Sequence, residues 1–194
     1  MKMILGRIVV TIVSWFFRVE VKGIENVPDE NATLLCANHV GGFDMLFIGY
    51  KLNRLVHYMA KAELFKIPVL KQLIKAYGAF PVNRGRADIT AVKGAYSLLD
   101  KGEIVGIFPE GTRRKAGKKV KIHSGAVNIA LKKNVPILPV GIKATYKMFS
   151  KVEIVFGEPY FIDYDAEKKY TIDEIKEMSE NLMRKIYSLV GEDI

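Results

Sequence analysis

Cysteine is nearly absent. The single Cys36 excludes an internal disulfide framework and a zinc site built on cysteines, and it agrees with a reducing compartment. Acidic residues are in deficit: 21 Asp and Glu stand against 30 Lys and Arg, for a formal net charge of +9. That imbalance favours an anionic partner, whether a membrane surface, a phosphorylated substrate or nucleic acid. The uncharged apolar stretch from Ile8 to Phe17 falls short of the roughly 20 residues a membrane-crossing helix needs. Phe17-Arg18-Val19-Glu20 offers no small-residue cleavage site of the kind that ends a secretory signal. No internal repeat, low-complexity tract or linker interrupts the 194 residues, so the chain reads as one domain large enough to bury a full core. Hydrophobic residues at 49% and charged residues at 26% argue against both a disordered chain and a polytopic membrane protein.

What is present is organised around Ala37-Asn38-His39-Val40-Gly41-Gly42-Phe43-Asp44, where an apolar run breaks at a histidine and a carboxylate. Ala32–Cys36 reads as a buried strand, and Met45–Tyr50 has the apolar density of a helix's first turns. Gly41 and Gly42 permit the sharp turn that open α/β sheets make beyond the carboxyl ends of their strands, where such folds place ligands. Asp44 falls near the start of the following helix, a favoured place for an acidic side chain. Two readings stand for the pair. Asp44 fixes the tautomer of His39 and leaves its other nitrogen free as a general base, or Asp44 only caps the helix and His39 is a satisfied turn residue. Cys36 is no nucleophile for this site, because an offset of three along a strand puts it on the face opposite His39; it reads as a packed core thiol.

Apolar patterning around this stretch predicts an α/β domain, a mixed and mainly parallel sheet flanked by helices. Strands are expected at Val19–Gly23 as an edge, Leu55–Ala60, Gly78–Arg84, Ile104–Phe108, Ile137–Ile142 and Lys151–Phe156. Helices are expected from Pro68 to about Lys75, Ala87 to Leu99, Ser124 to Lys133 with Ser124 as cap, and Thr171 to Val190. The last is amphipathic, with Ile172, Ile175, Met178, Leu182, Ile186 and Leu189 on one stripe, and it carries no site candidate. Residues 1–18 are set apart from the domain, 19–194. They read as an interfacial helix with Trp15 at the water boundary and Lys2, Arg7 and Arg18 toward anionic lipid; the alternative is that they pack on their own domain or on a partner.

Asn38-His39 followed by Asp44 matches the NHxxxxD motif of the glycerolipid acyltransferases, and three further blocks follow in family order: Gly78-Ala79-Phe80-Pro81-Val82-Asn83-Arg84, Phe108-Pro109-Glu110-Gly111-Thr112-Arg113-Arg114 and Val135-Pro136-Ile137-Leu138-Pro139-Val140. The ordered set, from about residue 20 to 145, resembles the 1-acyl-sn-glycerol-3-phosphate acyltransferase branch. The resemblance implies that His39 and Asp44 are catalytic, that Arg84 binds the acceptor's phosphate, and that Gly111, Thr112 and Arg113 form the second wall of the acceptor site. A guanidinium suits that task, since its planar fork pairs bidentately with phosphate oxygens. Arg84 otherwise reads as a surface residue of a charged loop with Arg86 and Asp88. Glu110 is assigned to orienting a basic residue or accepting from a glycerol hydroxyl. Lys61 either reaches substrate phosphate or is a solvated strand-end lysine. Arg114 stands where the family usually has Ser, which bears on fine substrate preference.

The activity implied is transfer of a fatty acyl group from a thioester, acyl-CoA or acyl carrier protein, to the sn-2 hydroxyl of lysophosphatidic acid, giving phosphatidic acid for phospholipid synthesis. No metal or cofactor beyond that co-substrate is expected, and the expected place is peripheral, on the cytoplasmic face of the cell membrane, against an anionic membrane surface. The dense basic run from Arg114 to Lys121 reads as meeting lipid or carrier phosphates, or as a solvated loop. His123, without an acidic neighbour in sequence, and His57, within a strand, are read as structural. Other acceptors, such as glycerol-3-phosphate or another lysolipid, share the same dyad. A non-catalytic basic membrane binder is a rival of another class; a nucleic-acid partner is not expected, because the basic run has no interleaved aromatics and no recognisable motif accompanies it. A metallohydrolase would need more ligands than His39 and Asp44 supply.

Overall fold

The structure, a computed structural model, describes residues 11, 14–49, 51–83, 88–114, 121–162 and 169–194. Most of the expected anchor, Arg84, and the basic stretch 115–120 lie outside these residues. Strands and helices alternate along the chain: β1 (Arg18–Lys22), β2 (Thr33–Ala37), α1 (Asp44–Ile48), β3 (Val56–Lys61), α2 (Pro68–Ala76), β4 (Phe80–Val82), α3 (Ile89–Leu99), β5 (Ile104–Ile107), α4 (Gly125–Lys133), β6 (Ile137–Ala144), β7 (Lys151–Phe156) and α5 (Ile172–Ser188). The seven strands form one sheet in the order β1-β7-β6-β2-β5-β3-β4. All neighbours are parallel except β6 and β7. The expected mixed, mainly parallel sheet is therefore observed, with β1 at an edge.

β2 sits between β5 and β6, with Leu34 opposite Ile137 and Leu35 opposite Gly106. All five of its residues are buried, which is why it reads as a continuous apolar run and not as an alternation. Its side chains divide between two cores by the period of two. Leu35 and Ala37 join Phe47 and Ile48 of α1 and Ile74 of α2, whereas Leu34 and Cys36 join Leu99 of α3, Ile129 of α4 and Leu182 and Ile186 of α5. Burial pushes the Cys36 thiol's pKa far up, as suits an inert core residue.

Local capping differs from the patterned expectation at Asp88 and Ser124 and agrees with it at Thr171. Asp88, read as part of a charged loop, is the N-cap of α3 and accepts from the Ala91 N–H at 3.0 Å. Ser124 does stand at the N-cap of α4 but makes no side-chain capping bond, and instead accepts from Asn128 Nδ2 at 3.4 Å. Thr171 forms a full capping box with Glu174, yet Ile172 beside it is exposed, because α5 buries side chains only from Ser179 onward.

Candidate functional site

The parallel strands β2 and β5 end side by side, with Cys36 opposite Ile107, so the loops that follow them meet beyond their carboxyl ends. The first loop carries His39 and the second Glu110. Asn38 continues the β2 ladder with its side chain: its amide donates to the Ile142 carbonyl at 2.8 Å and accepts the Ile142 N–H at 2.7 Å. A buried amide thus takes the place of a strand residue and sets where the chain turns away.

His39 follows, 9% exposed, with its backbone clamped on both sides by the second loop. Its N–H donates to Glu110 Oε1 at 3.4 Å, and its carbonyl accepts the Arg114 N–H at 2.9 Å. The imidazole lies flat on Phe108, with centroids 4.2 Å apart and planes at 19°. Phe108 stacks in turn on Tyr58, whose buried hydroxyl has no hydrogen-bond partner among the described residues. Burial, and secondarily the charge of Asp44, push the Tyr58 phenol upward, so it stays protonated.

Asp44 is fully buried and 2.6 Å from His39 Nδ1 through its Oδ2. It does not cap its own helix: the N-cap of α1 is Phe43, and the Asp44 carboxylate turns back over the loop. There it accepts from the Val40 N–H at 2.8 Å, from the Gly41 N–H at 3.0 and 2.9 Å, and from the Tyr146 hydroxyl. A buried carboxylate needs such donors, and four groups supply them here. The Nδ1 contact leaves Nε2 as the ring nitrogen directed away from the carboxylate.

Neither Gly41 nor Gly42 has a positive φ, so a left-handed turn is not what calls for glycine here. Gly41 is needed for space, because an added Cβ would lie 2.4 Å from two carbons of the Tyr146 ring. At Gly42 the nearest atom to an added Cβ is Arg113 Nη2 at 3.7 Å, an ordinary contact that brings this guanidinium alongside the histidine loop. Gly111 does turn with φ 67°, against the edge of the His123 ring. Thr112 and Arg113 beyond it are exposed. His123 donates its backbone N–H to Pro109, and burial, then Lys121, lower the pKa of its imidazole.

Of the two roles expected for Glu110, orienting a basic residue and accepting from a glycerol hydroxyl, its contacts among the described residues bear on the first. It is buried, and its Oε1 accepts both the His39 N–H and the Tyr187 hydroxyl, the latter at 2.7 Å. Burial raises its pKa against the lowering pull of those bonds. Tyr187 belongs to α5, the helix read as carrying nothing for the site. Arg114 turns away to Glu192 at 3.1 Å, with its guanidinium 4.9 Å above the Tyr187 ring. Lys61 ends β3, half-exposed and 3.3 Å from Glu63. Tyr146 and Tyr187 escape a reading of the sequence because neither lies in a motif; Asn38 lies inside one but carries no sign there of its partner on β6.

A family model described as Acyltransferase matches residues 18–143. The 1-acyl-sn-glycerol-3-phosphate acyltransferase of Bacillus subtilis is 35% identical over 147 residues, covering 73% of this chain and 73% of its own. That of Borreliella burgdorferi is 32% identical over 142 residues, covering 72% of this chain and 56% of its own. Among solved structures, the 1-acyl-sn-glycerophosphate acyltransferase PlsC of Thermotoga maritima superposes with a TM-score of 0.69 at 27% identity, over 96% of this chain and 78% of that one.

Proposed function

The chain belongs to the acyltransferase family, and we propose that it transfers a fatty acyl group from a thioester to the sn-2 hydroxyl of 1-acylglycerol-3-phosphate, forming phosphatidic acid. The observation that carries this reading is the 2.6 Å contact of His39 Nδ1 with a carboxylate that three further donors, the Val40 and Gly41 N–H groups and the Tyr146 hydroxyl, hold in place. Nε2 is then the base. It takes the acceptor's hydroxyl proton as that oxygen bonds to the thioester carbonyl carbon; the carbon–sulfur bond breaks, and the proton passes to the departing thiolate. A thiolate leaves readily, so no separate acid is needed. Asp44 stabilises the imidazolium that forms.

Arg113, beside Gly42, supports the phosphate role: a guanidinium there holds the acceptor's charged end while the hydroxyl meets Nε2. Such positioning lowers a barrier by several kcal/mol, up to about 7–11. Arg84 is assigned the same task by resemblance alone. Glu110 acts through His39, as a brace for its backbone.

The exposed apolar side chains support a lipid-facing rim around this site. β1 and β7 run opposite to β2, so the residues that lead into them stand at the end of the sheet where β2 delivers His39. Trp15 and Phe16 before β1, Met148 and Phe149 before β7, and Phe43 in the histidine loop are all exposed. The Phe149 N–H donates to the Phe16 carbonyl at 2.8 Å, and Phe43 lies 6.0 Å from Phe17, which joins them into one patch. Each such side chain entering lipid gains about 1.5–3 kcal/mol. No helix among the described residues is long and apolar enough to cross a membrane, and the excess positive charge suits anionic lipid.

The test is acylation of labelled lysophosphatidic acid with acyl-CoA and with acyl carrier protein thioesters. Wild-type protein forms phosphatidic acid with one or both donors, and His39→Ala loses about 10²- to 10⁴-fold in turnover while remaining folded. Near-normal turnover of His39→Ala ends the mechanism, and a preference for acceptors lacking the phosphate ends the substrate assignment. Flotation with anionic vesicles, diminished by Met148→Asp with Phe149→Asp, tests the rim.

A further inference from the structure

Tyr146 lies 102 residues from Asp44 in the chain and belongs to none of the four motif blocks, yet its hydroxyl reaches the carboxylate oxygen that His39 does not use. It stands just past the end of β6 with φ 53°, a left-handed backbone that a bulky side chain adopts only where its surroundings hold it. Those surroundings are aromatic. The ring stacks on Phe47 at 6.1 Å and 11°, meets Phe17 edge-on, and lies against Gly41 so closely that a Cβ there would collide with it.

The donors around Asp44 differ in what they fix. His39 and the Val40 N–H both address Oδ2, while the Gly41 N–H is shared almost equally between the two oxygens, at 3.0 and 2.9 Å, and so does not distinguish one from the other. Among the described residues, the Tyr146 hydroxyl is the one donor devoted to Oδ1. Without it the bonds from His39, Val40 and Gly41 remain, but Oδ1 loses its dedicated donor and the carboxylate is held less firmly in the plane that faces Nδ1 of His39.

We propose that Tyr146 is a positioning residue for acyl transfer: its hydroxyl locks the plane of the Asp44 carboxylate, and through it the ring orientation and tautomer of His39. The inference rests on the reading of His39 as the base. The phenol is suited to a lasting donor role, since burial, followed by the nearby carboxylate, raises its pKa and keeps it protonated. It also shares the negative charge of Asp44, and so tempers the pull of that carboxylate on the imidazolium. Among the described residues, Tyr58 from β3 faces Asp44, Glu110 from the loop after β5 faces His39, and Arg113 of that loop lies beside Gly42.

Tyr146→Phe removes the hydroxyl and keeps the ring against Gly41, Phe17 and Phe47. With labelled lysophosphatidic acid and the productive thioester donor, kcat falls about ten- to hundredfold with KM for the acceptor little changed. The acid limb of the kcat–pH profile moves upward, because an Asp44 relieved of one donor attracts the imidazolium more strongly. In an Asp44→Asn background, the further loss on adding Tyr146→Phe disappears, since both changes act through one carboxylate. An unchanged kcat and pH limb overturns the proposal. So does a loss that follows only the folded fraction by thermal melt, with the limb unmoved, or a loss that is fully additive with Asp44→Asn. Should His39→Ala retain activity, the base assignment fails first; should His39→Ala be inactive and Tyr146→Phe normal, only this inference fails.

Discussion

The hydroxyl of Tyr187, near the end of α5, donates to Glu110 Oε1 at 2.7 Å, and the same oxygen accepts the backbone N–H of His39 at 3.4 Å. The last helix of the chain is thereby connected to the histidine turn through one buried carboxylate. Tyr187→Phe leaves that carboxylate with the weaker of its two bonds. The expected result is a loss of about 1–3 kcal/mol in stability by denaturant unfolding, with a fall in turnover well below that of His39→Ala. Unchanged stability and turnover would show that the connection is incidental.

Glu110 also predicts a pH dependence. Burial raises its pKa in the folded protein above the ordinary 4.5, so the folded state takes up the proton more readily than the unfolded state. For such a group, stability is greatest at low pH and declines as pH rises through about 4.5 toward the raised folded value. Glu110→Gln keeps an oxygen to accept from Tyr187 and His39 and removes the titration. Chemical denaturation of the two proteins between about pH 4 and 8 should show a growing advantage for the Gln variant as pH rises. An advantage that shrinks with pH contradicts the sign.

Asn38→Ala should destabilise the fold as well as the site. It removes the two hydrogen bonds to Ile142 and leaves a buried N–H and carbonyl of β6 without these partners. An expected loss of about 2–6 kcal/mol, from roughly 1–3 per unsatisfied group, is read as a lowered denaturant midpoint with an unchanged slope. A loss below about 1 kcal/mol would mean that another group replaces the amide.

The paired glycines should separate cleanly. Gly42→Ala meets only an ordinary contact with Arg113 and is expected within about 0.5 kcal/mol of wild type, whereas Gly41→Ala drives Tyr146 from its seat and costs about 1–3 kcal/mol. Equal melting temperatures for the two variants would refute the steric account of Gly41.

Much of this protein was legible before any coordinates. Buried parallel strands announce themselves as apolar runs, and β2, β5 and β6 do so because helices cover both faces. The stripe on α5 and the cap at Thr171 follow from spacing along one helix. His39 and Asp44 were equally visible, because five residues across one turn are enough to bring them within 2.6 Å. What lay beyond reach were partners set by sheet register and helix docking. Tyr146 reaches Asp44 across 102 residues, Asn38 reaches Ile142 across 104, and Tyr187 reaches Glu110 across 77. No local pattern carries such information, since any surface-bound tyrosine or turn asparagine looks the same in sequence. The chain's own residues therefore determined the strand that delivers the imidazole and the carboxylate beside it. Only the packing of distant strands and the last helix decided what holds the two in line, because a side-chain hydrogen bond is fixed by proximity in space and not by distance along the chain.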